Sequence, residues 1–158
     1  MAFHDDLIKH AVFLANLNPP DQAKQVDLRR AVSAAYYALF HLLSNEAAQN
    51  WKHPRQRDKF ARLFDHRRMR ECSSQISKRP LPADPIQAPI AKDLKLVAAS
   101  LVKLQQARHT ADYDNSRAWS PTQVYELIIE AQDAMLAWMN IRDKEIAQDY
   151  LLDLLGAR

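Results

Sequence analysis

Arg30-Ala31-Val32-Ser33-Ala34-Ala35-Tyr36-Tyr37-Ala38-Leu39-Phe40-His41 is the stretch on which the fold turns. From Ala31 to Leu43 apolar side chains occupy nearly the whole circumference of a helix, the pattern of a helix surrounded by others. Polar groups interrupt it in register. At about 100° per residue Arg30, Ser33, Tyr37 and His41 fall within an arc of roughly 80°. Guanidinium, hydroxyl, phenol and imidazole on one face suit a phosphate or nucleotide, with arginine giving bidentate charge and the others directional hydrogen bonds. The alternative is that Tyr36 and Tyr37 are amphipathic core residues and His41 is a satisfied helix histidine.

Working outward, the spacing predicts a first helix from about Asp5 to Leu17, stopped by Pro19-Pro20. Asp21 is expected to cap the long second helix, which runs to about Asn50. Trp51 to Arg79 reads as one or two basic helices with Phe60, Leu63, Phe64 and Met69 as a narrow apolar stripe. Four prolines between Arg79 and Pro89 predict an extended connection, since each deletes a donor and restricts its predecessor. Ile90, Leu94, Val97, Leu101 and Leu104 then repeat at helical spacing. Ser120-Pro121 supplies an N-cap and a first-turn proline for a last helix with Val124, Leu127, Ile128, Ala131, Met135 and Trp138 inside. A break near Asn140 to Asp143 precedes a final set of turns reaching Leu155. The expectation is one all-α domain over residues 1–158, with the Pro-rich connection at 79–89.

Composition narrows the function. The chain has 158 residues, 47% hydrophobic and 26% charged, enough for one core without staples. A single glycine, Gly156, excludes Gly-rich phosphate loops, Rossmann fingerprints and tight hairpins, so kinase-like, GTPase-like and dinucleotide chemistry are disfavoured. The lone Cys72 rules out an internal disulfide. No export signal opens the chain and no stretch approaches the roughly 18 apolar residues of a membrane span, so a cytoplasmic location is expected. No HExxH or paired CxxC occurs, and neither metal nor cofactor is expected.

Charge is uneven. Between Lys52 and Arg79 ten Lys or Arg face three acidic residues, a local +7 in a chain of +3; from Thr110 onward nine acidic residues face four basic ones, a local −5. Lys52, Arg55, Arg57, Lys59, Arg62, Arg67, Arg68 and Arg70 offer phosphate contacts, with Trp51 or Phe64 for base stacking if exposed. They equally suit a solvated face or an acidic partner segment.

Extending the Ile90 to Leu104 stripe by four residues reaches Arg108, with Asp112 one turn on. Arg108 therefore points inward or into a cleft. The pair reads either as a structural ion pair finishing a helix or as part of a site.

The Ala-Tyr-Tyr-Ala-Leu-Phe-His run ending at His41, followed by Arg108-His-Thr-Ala-Asp112-Tyr113 and a closing amphipathic helix, resembles the HEPN superfamily, the higher eukaryote and prokaryote nucleotide-binding domain. The likeness spans about residues 5 to 140 and is greatest to small prokaryotic members. It implies an antiparallel bundle of four to five helices, a homodimer, and motif helices meeting at a cleft. Many such proteins are metal-independent ribonucleases in toxin–antitoxin or phage-defence systems, often beside a minimal nucleotidyltransferase. Their usual motif of Arg, four to six residues, then His is not intact here: Tyr113 stands where a four-residue gap after Arg108 would put the histidine. Tyrosine is a poor base near neutrality. Binding of RNA or a nucleotide by Arg30, Ser33, Tyr37, His41, Arg108, Asp112 and Tyr113 therefore ranks above cleavage, for which Arg108, His109 and His41 are the candidates. The partner implied is a nucleotidyltransferase or antitoxin. A divergent metal-independent ribonuclease and a purely structural helical adaptor are the alternatives.

Overall fold

Alanines set the centre of the bundle. Ala31, Ala34, Ala35 and Ala38 let neighbouring helices approach closely around the segment 25–49, and 14 of its 25 residues are buried. The computed structural model describes residues 2–156. Its helices are α1 (Phe3–Ala15), α2 (Gln25–Gln49), α3 (Arg57–Ala61), α4 (His66–Ser77), α5 (Gln87–Tyr113), α6 (Pro121–Ile141) and α7 (Glu145–Leu154), with no strand among the described residues. The all-α expectation is met. Among the described residues there are seven α-helices, the short α3 of five residues and α7 of ten joining five longer ones.

Side-chain pairings fix the directions. Ser33 meets Asp112 and Arg29 meets Ala111, so α5 runs antiparallel to α2. Gln25 binds Trp119 just before α6 while Glu46 pairs with Arg142 just after it, so α6 runs parallel to α2. Phe3 lies against His41, and Asn16 accepts from the Tyr125 hydroxyl near the start of α6, which sets α1 antiparallel to both. Leu28, Leu39, Leu42, Leu43, Leu101, Leu104 and Trp138 are enclosed in one continuous apolar cluster. Each such side chain contributes roughly 1.5–3 kcal/mol on burial.

Local chemistry explains most boundaries. Ser120 and Gln123 form a reciprocal capping box with Pro121 in the first turn, as the Ser-Pro signal predicts. Asp65 accepts from the Arg68 amide and starts α4. Asp21 does not cap α2. Residues Pro20–Gln22 form a separate 3-10 turn, and α2 starts at Gln25 without a side-chain cap. The two prolines hold the chain in that turn, and the helix resumes only beyond it. The Pro-rich connection ends three residues early, because Pro89 sits in the first turn of α5, where its missing N–H costs nothing. Gly156, at φ +75°, terminates α7 where a side chain would press on Arg68.

Candidate functional site

The antiparallel contact of α2 with α5 joins the two polar segments. Ser33 Oγ donates to Asp112 Oδ1 at 2.6 Å, and Arg108 Nη1 donates to Asp112 Oδ2 at 3.4 Å, long for a charge-assisted bond. The Arg108 side chain is 12% exposed and that of Asp112 34%. Arg108 Cζ lies 5.4 Å from the Tyr36 ring centre and 5.8 Å from that of Tyr37, within cation–π range. Its Nε is buried and has no hydrogen-bond partner. A buried donor left unmet costs about 1–3 kcal/mol. The guanidinium is thus held by two aromatic faces and one long ion pair, with donor capacity unused.

His66 completes the cluster. It opens α4 directly after the capping Asp65, and its Nδ1 is 2.6 Å from the Tyr36 hydroxyl. Its ring lies 4.3 Å from Phe40 and 5.8 Å from Tyr37, and its carbonyl accepts from Gln105. Burial lowers its pKa, Arg108 lowers it further, and Asp65 partly opposes them. Tyr36, wholly enclosed, has its pKa pushed far above the usual phenol range by burial. The phenol therefore keeps its proton, and its hydroxyl shares one hydrogen bond with His66 Nδ1, with the donor set by the imidazole tautomer.

Nothing in the local sequence around His66 announces this, since its partners Tyr36 and Phe40 lie on another helix. The only signal is Asp65, an N-cap type that places the next residue in a first helical turn.

The other expected residues divide. Ser33, Tyr37, Arg108 and Asp112 converge. Arg30 is exposed and lines an adjoining cavity of about 700 Å³ with His10, Ser33, Asp112 and Asn115; the cavity meets the cluster at Ser33 and Asp112, and Arg108 is not in its lining. His41 sits farther along, 6.0 Å from Tyr37 and 5.0 Å from Phe3, its pKa lowered by burial and then by His66 and His4. His109 and Tyr113 do not join them. They are exposed on the outer side of α5, Tyr113 at 69%, with rings 5.0 Å apart. At about 100° per residue, the fifth position after Arg108 faces roughly 140° away from it.

Two residues that the sequence did not single out hold the rim. Arg29 Nη1 donates to the carbonyls of Ala111 (2.9 Å) and Asp114 (3.0 Å), and Nη2 to that of Arg117 (2.8 Å). Gln25 exchanges two 2.8 Å bonds with the Trp119 backbone. Arg62, Arg67, Arg68 and Arg70 are exposed, with Arg67 paired to Glu71. Phe64 is buried and offers no stacking face; Trp51 is exposed. Burial and then Asp153 push the Cys72 thiol up to about 11, far from a reactive thiolate.

A larger groove of about 930 Å³ lies between α4, α5 and the start of α6, lined by Arg70, Gln75, Gln106, Thr110, Trp119 and Gln123. It runs on the side of α5 away from Arg108, and none of the clustered histidines or tyrosines reaches it. Among the described residues no three His, Cys, Asp or Glu side chains gather as a metal site, and no helix is long and apolar enough to cross a membrane.

No family model, curated protein or solved structure matches the chain.

Proposed function

We propose that the chain is a HEPN-like protein that binds RNA or a nucleotide in the groove between α2 and α5, and that it binds rather than cleaves. The observation that carries this is the nearly buried Arg108 with an unpartnered Nε, set against Tyr36, Tyr37 and His66. A phosphate oxygen is the acceptor that such a guanidinium lacks. Proton transfer from a 2′-hydroxyl needs a base in reach. Tyr36 keeps its proton near neutrality, and Tyr113, which stands where the usual motif has its histidine, is exposed on the outer side of α5.

The setting that fits is toxin–antitoxin or phage defence beside a partner such as a minimal nucleotidyltransferase. Ile129, Leu136 and Met139 stand exposed along the outer side of α6, an apolar stripe suited to a second copy or a partner chain. The test is fluorescence anisotropy with a labelled single-stranded RNA at two salt concentrations, for wild type and Arg108→Gln, with circular dichroism to verify folding. Binding that weakens at least tenfold in a folded Arg108→Gln supports the reading. Equal binding by both, or none by wild type, removes it.

A ribonuclease is the second reading, favoured by one observation: burial keeps His41 neutral near the cluster and so competent as a base. RNA cleaved by wild type in chelator, and left intact by His41→Gln, would install that reading in place of simple binding.

A further inference from the structure

Beyond the C-terminus of α2 lies a second feature. Trp51 is 42% exposed, yet its ring is fixed: the indole Nε1 donates to Gln56 Oε1 at 2.8 Å, and the ring stacks on Phe60 at 5.3 Å and 29°. Leu63 stands exposed beside it, and Trp51, Gln56, Lys59, Phe60 and Leu63 line a mostly apolar cavity of about 350 Å³. Around this platform Lys52, Arg55, Arg57, Lys59 and Arg62 face one acid, Asp58. Arg57 is committed, donating to the Trp51 carbonyl and to Gln49. The side chains of Lys52, Arg55, Lys59 and Arg62 are exposed and make no hydrogen bond or ion pair among the described residues.

Ring contacts lead from the platform toward the Arg108 groove. Trp51 stacks on Phe60, whose ring lies 6.1 Å from that of Phe64, two residues before His66. α2 ends at Gln49, just before Trp51 and about 14 Å along the axis from Phe40, whose ring lies 4.3 Å from that of His66, at ~1.5 Å per residue. That length is roughly four stacked nucleotides at ~3.4 Å each. The segment between them is α3, which leads straight into Asp65 and His66. A fixed, half-exposed aromatic ringed by unpaired cations is the arrangement that holds a single strand, one base on the ring and phosphates on the charges.

We propose that the Trp51–Phe60 platform with Lys52, Arg55, Lys59 and Arg62 is a strand-binding extension of the Arg108 groove, so that the ligand is a single-stranded RNA several nucleotides long and not a lone nucleotide. This rests on the reading under Proposed function and goes beyond it by naming the length and path of the ligand.

Trp119 and Trp138 are buried, at 4% and 0% exposure, so quenching of tryptophan fluorescence by added RNA reports Trp51. The experiment compares a dinucleotide with a ten-nucleotide RNA on wild type, on Trp51→Ala, and on the combined Lys52→Gln, Arg55→Gln, Lys59→Gln, Arg62→Gln variant. Expected are quenching by the decamer, a loss of decamer affinity of at least about fivefold in Trp51→Ala, and an unchanged dinucleotide affinity. The charge variant, whose altered side chains hold no structural bond, is expected to flatten the salt dependence of decamer binding by about 0.7 in log–log slope for each phosphate no longer neutralised. It also carries the test if Trp51→Ala misfolds. Decamer binding that depends on Arg108 but is no tighter than dinucleotide binding, or is unmoved by both variants, overturns the extension and leaves the Arg108 groove standing. Binding through these residues to phosphatidylserine vesicles, with none to RNA, overturns it in favour of a membrane surface. No RNA binding of any length by wild type overturns both readings.

Discussion

Replacing Arg29 by alanine isolates a single side chain that ties α2 to the end of α5 and the loop beyond it. Its guanidinium donates to three main-chain carbonyls, those of Ala111, Asp114 and Arg117, at 2.9, 3.0 and 2.8 Å. Hydrogen bonds from a charged donor contribute about 1.5–3 kcal/mol each when shielded, and less in water. Only the bond to Ala111 is partly buried, so the three together are discounted to about 2–3 kcal/mol. In a domain of this size each kcal/mol moves the melting temperature by about 2–4 °C, so Arg29→Ala should melt about 4–12 °C lower. Amide exchange should rise from 111 to 119, where the carbonyls lose their tie. Arg29→Lys should recover little, since one ammonium on a flexible stem lacks the planar fork that reaches three acceptors. Arg30→Ala, one residue along and exposed, should stay within about 0.5 kcal/mol of wild type. The reasoning fails if Arg29→Ala melts within about 2 °C of wild type with unchanged exchange at 111–119, or if Arg30→Ala costs as much.

Ser120→Ala removes half of the capping box and should cost about 1 kcal/mol by chemical denaturation, whereas Ser116→Ala, in the exposed loop, should cost less. Trp138→Ala, which empties a fully enclosed site, should lose about 3–5 kcal/mol, and a urea midpoint near wild type would contradict the core described. His66 and His41 have pKa values lowered by burial, so the unfolded chain binds their protons more readily than the folded one. Stability should therefore fall as pH drops through about 6.5 toward 5, and calorimetry of His66→Gln should show a flatter fall. The lowered pKa values of Glu130 and Asp114 act only below the ordinary carboxylate range, outside that window.

The fold was legible because its determinants are local and periodic. The apolar circumference of Ala31 to Leu43, the stripe from Ile90 to Leu104 and the Ser120-Pro121 start each reappear as α2, α5 and α6. Asp21 misled because a cap type beside two prolines is satisfied equally by a 3-10 turn. Half of the site was legible too. Helical spacing brought Ser33 and Tyr37 to one face and aimed Arg108 inward, and the tertiary contact joins them at Asp112. His66 was not, because its place is set by α4 packing against α2, which no short-range pattern encodes. Arg29 and Arg30 differ only in which side of α2 they occupy, and a polar arc drawn from spacing favoured the exposed one. His109 and Tyr113 carried weight from the resemblance alone, and the helical register that buries Arg108 turns them outward.

The side-chain resonance of Arg108 Nε–H offers the most direct measurement. In a nitrogen–proton spectrum of wild type, assigned by its loss in Arg108→Lys, a short single-stranded RNA should shift this signal downfield and slow its exchange, as a buried donor without a partner gains a phosphate oxygen. An Arg108 signal that stays in place through saturation, while backbone amides elsewhere move, would contradict the claim that this guanidinium is the anchor of the groove.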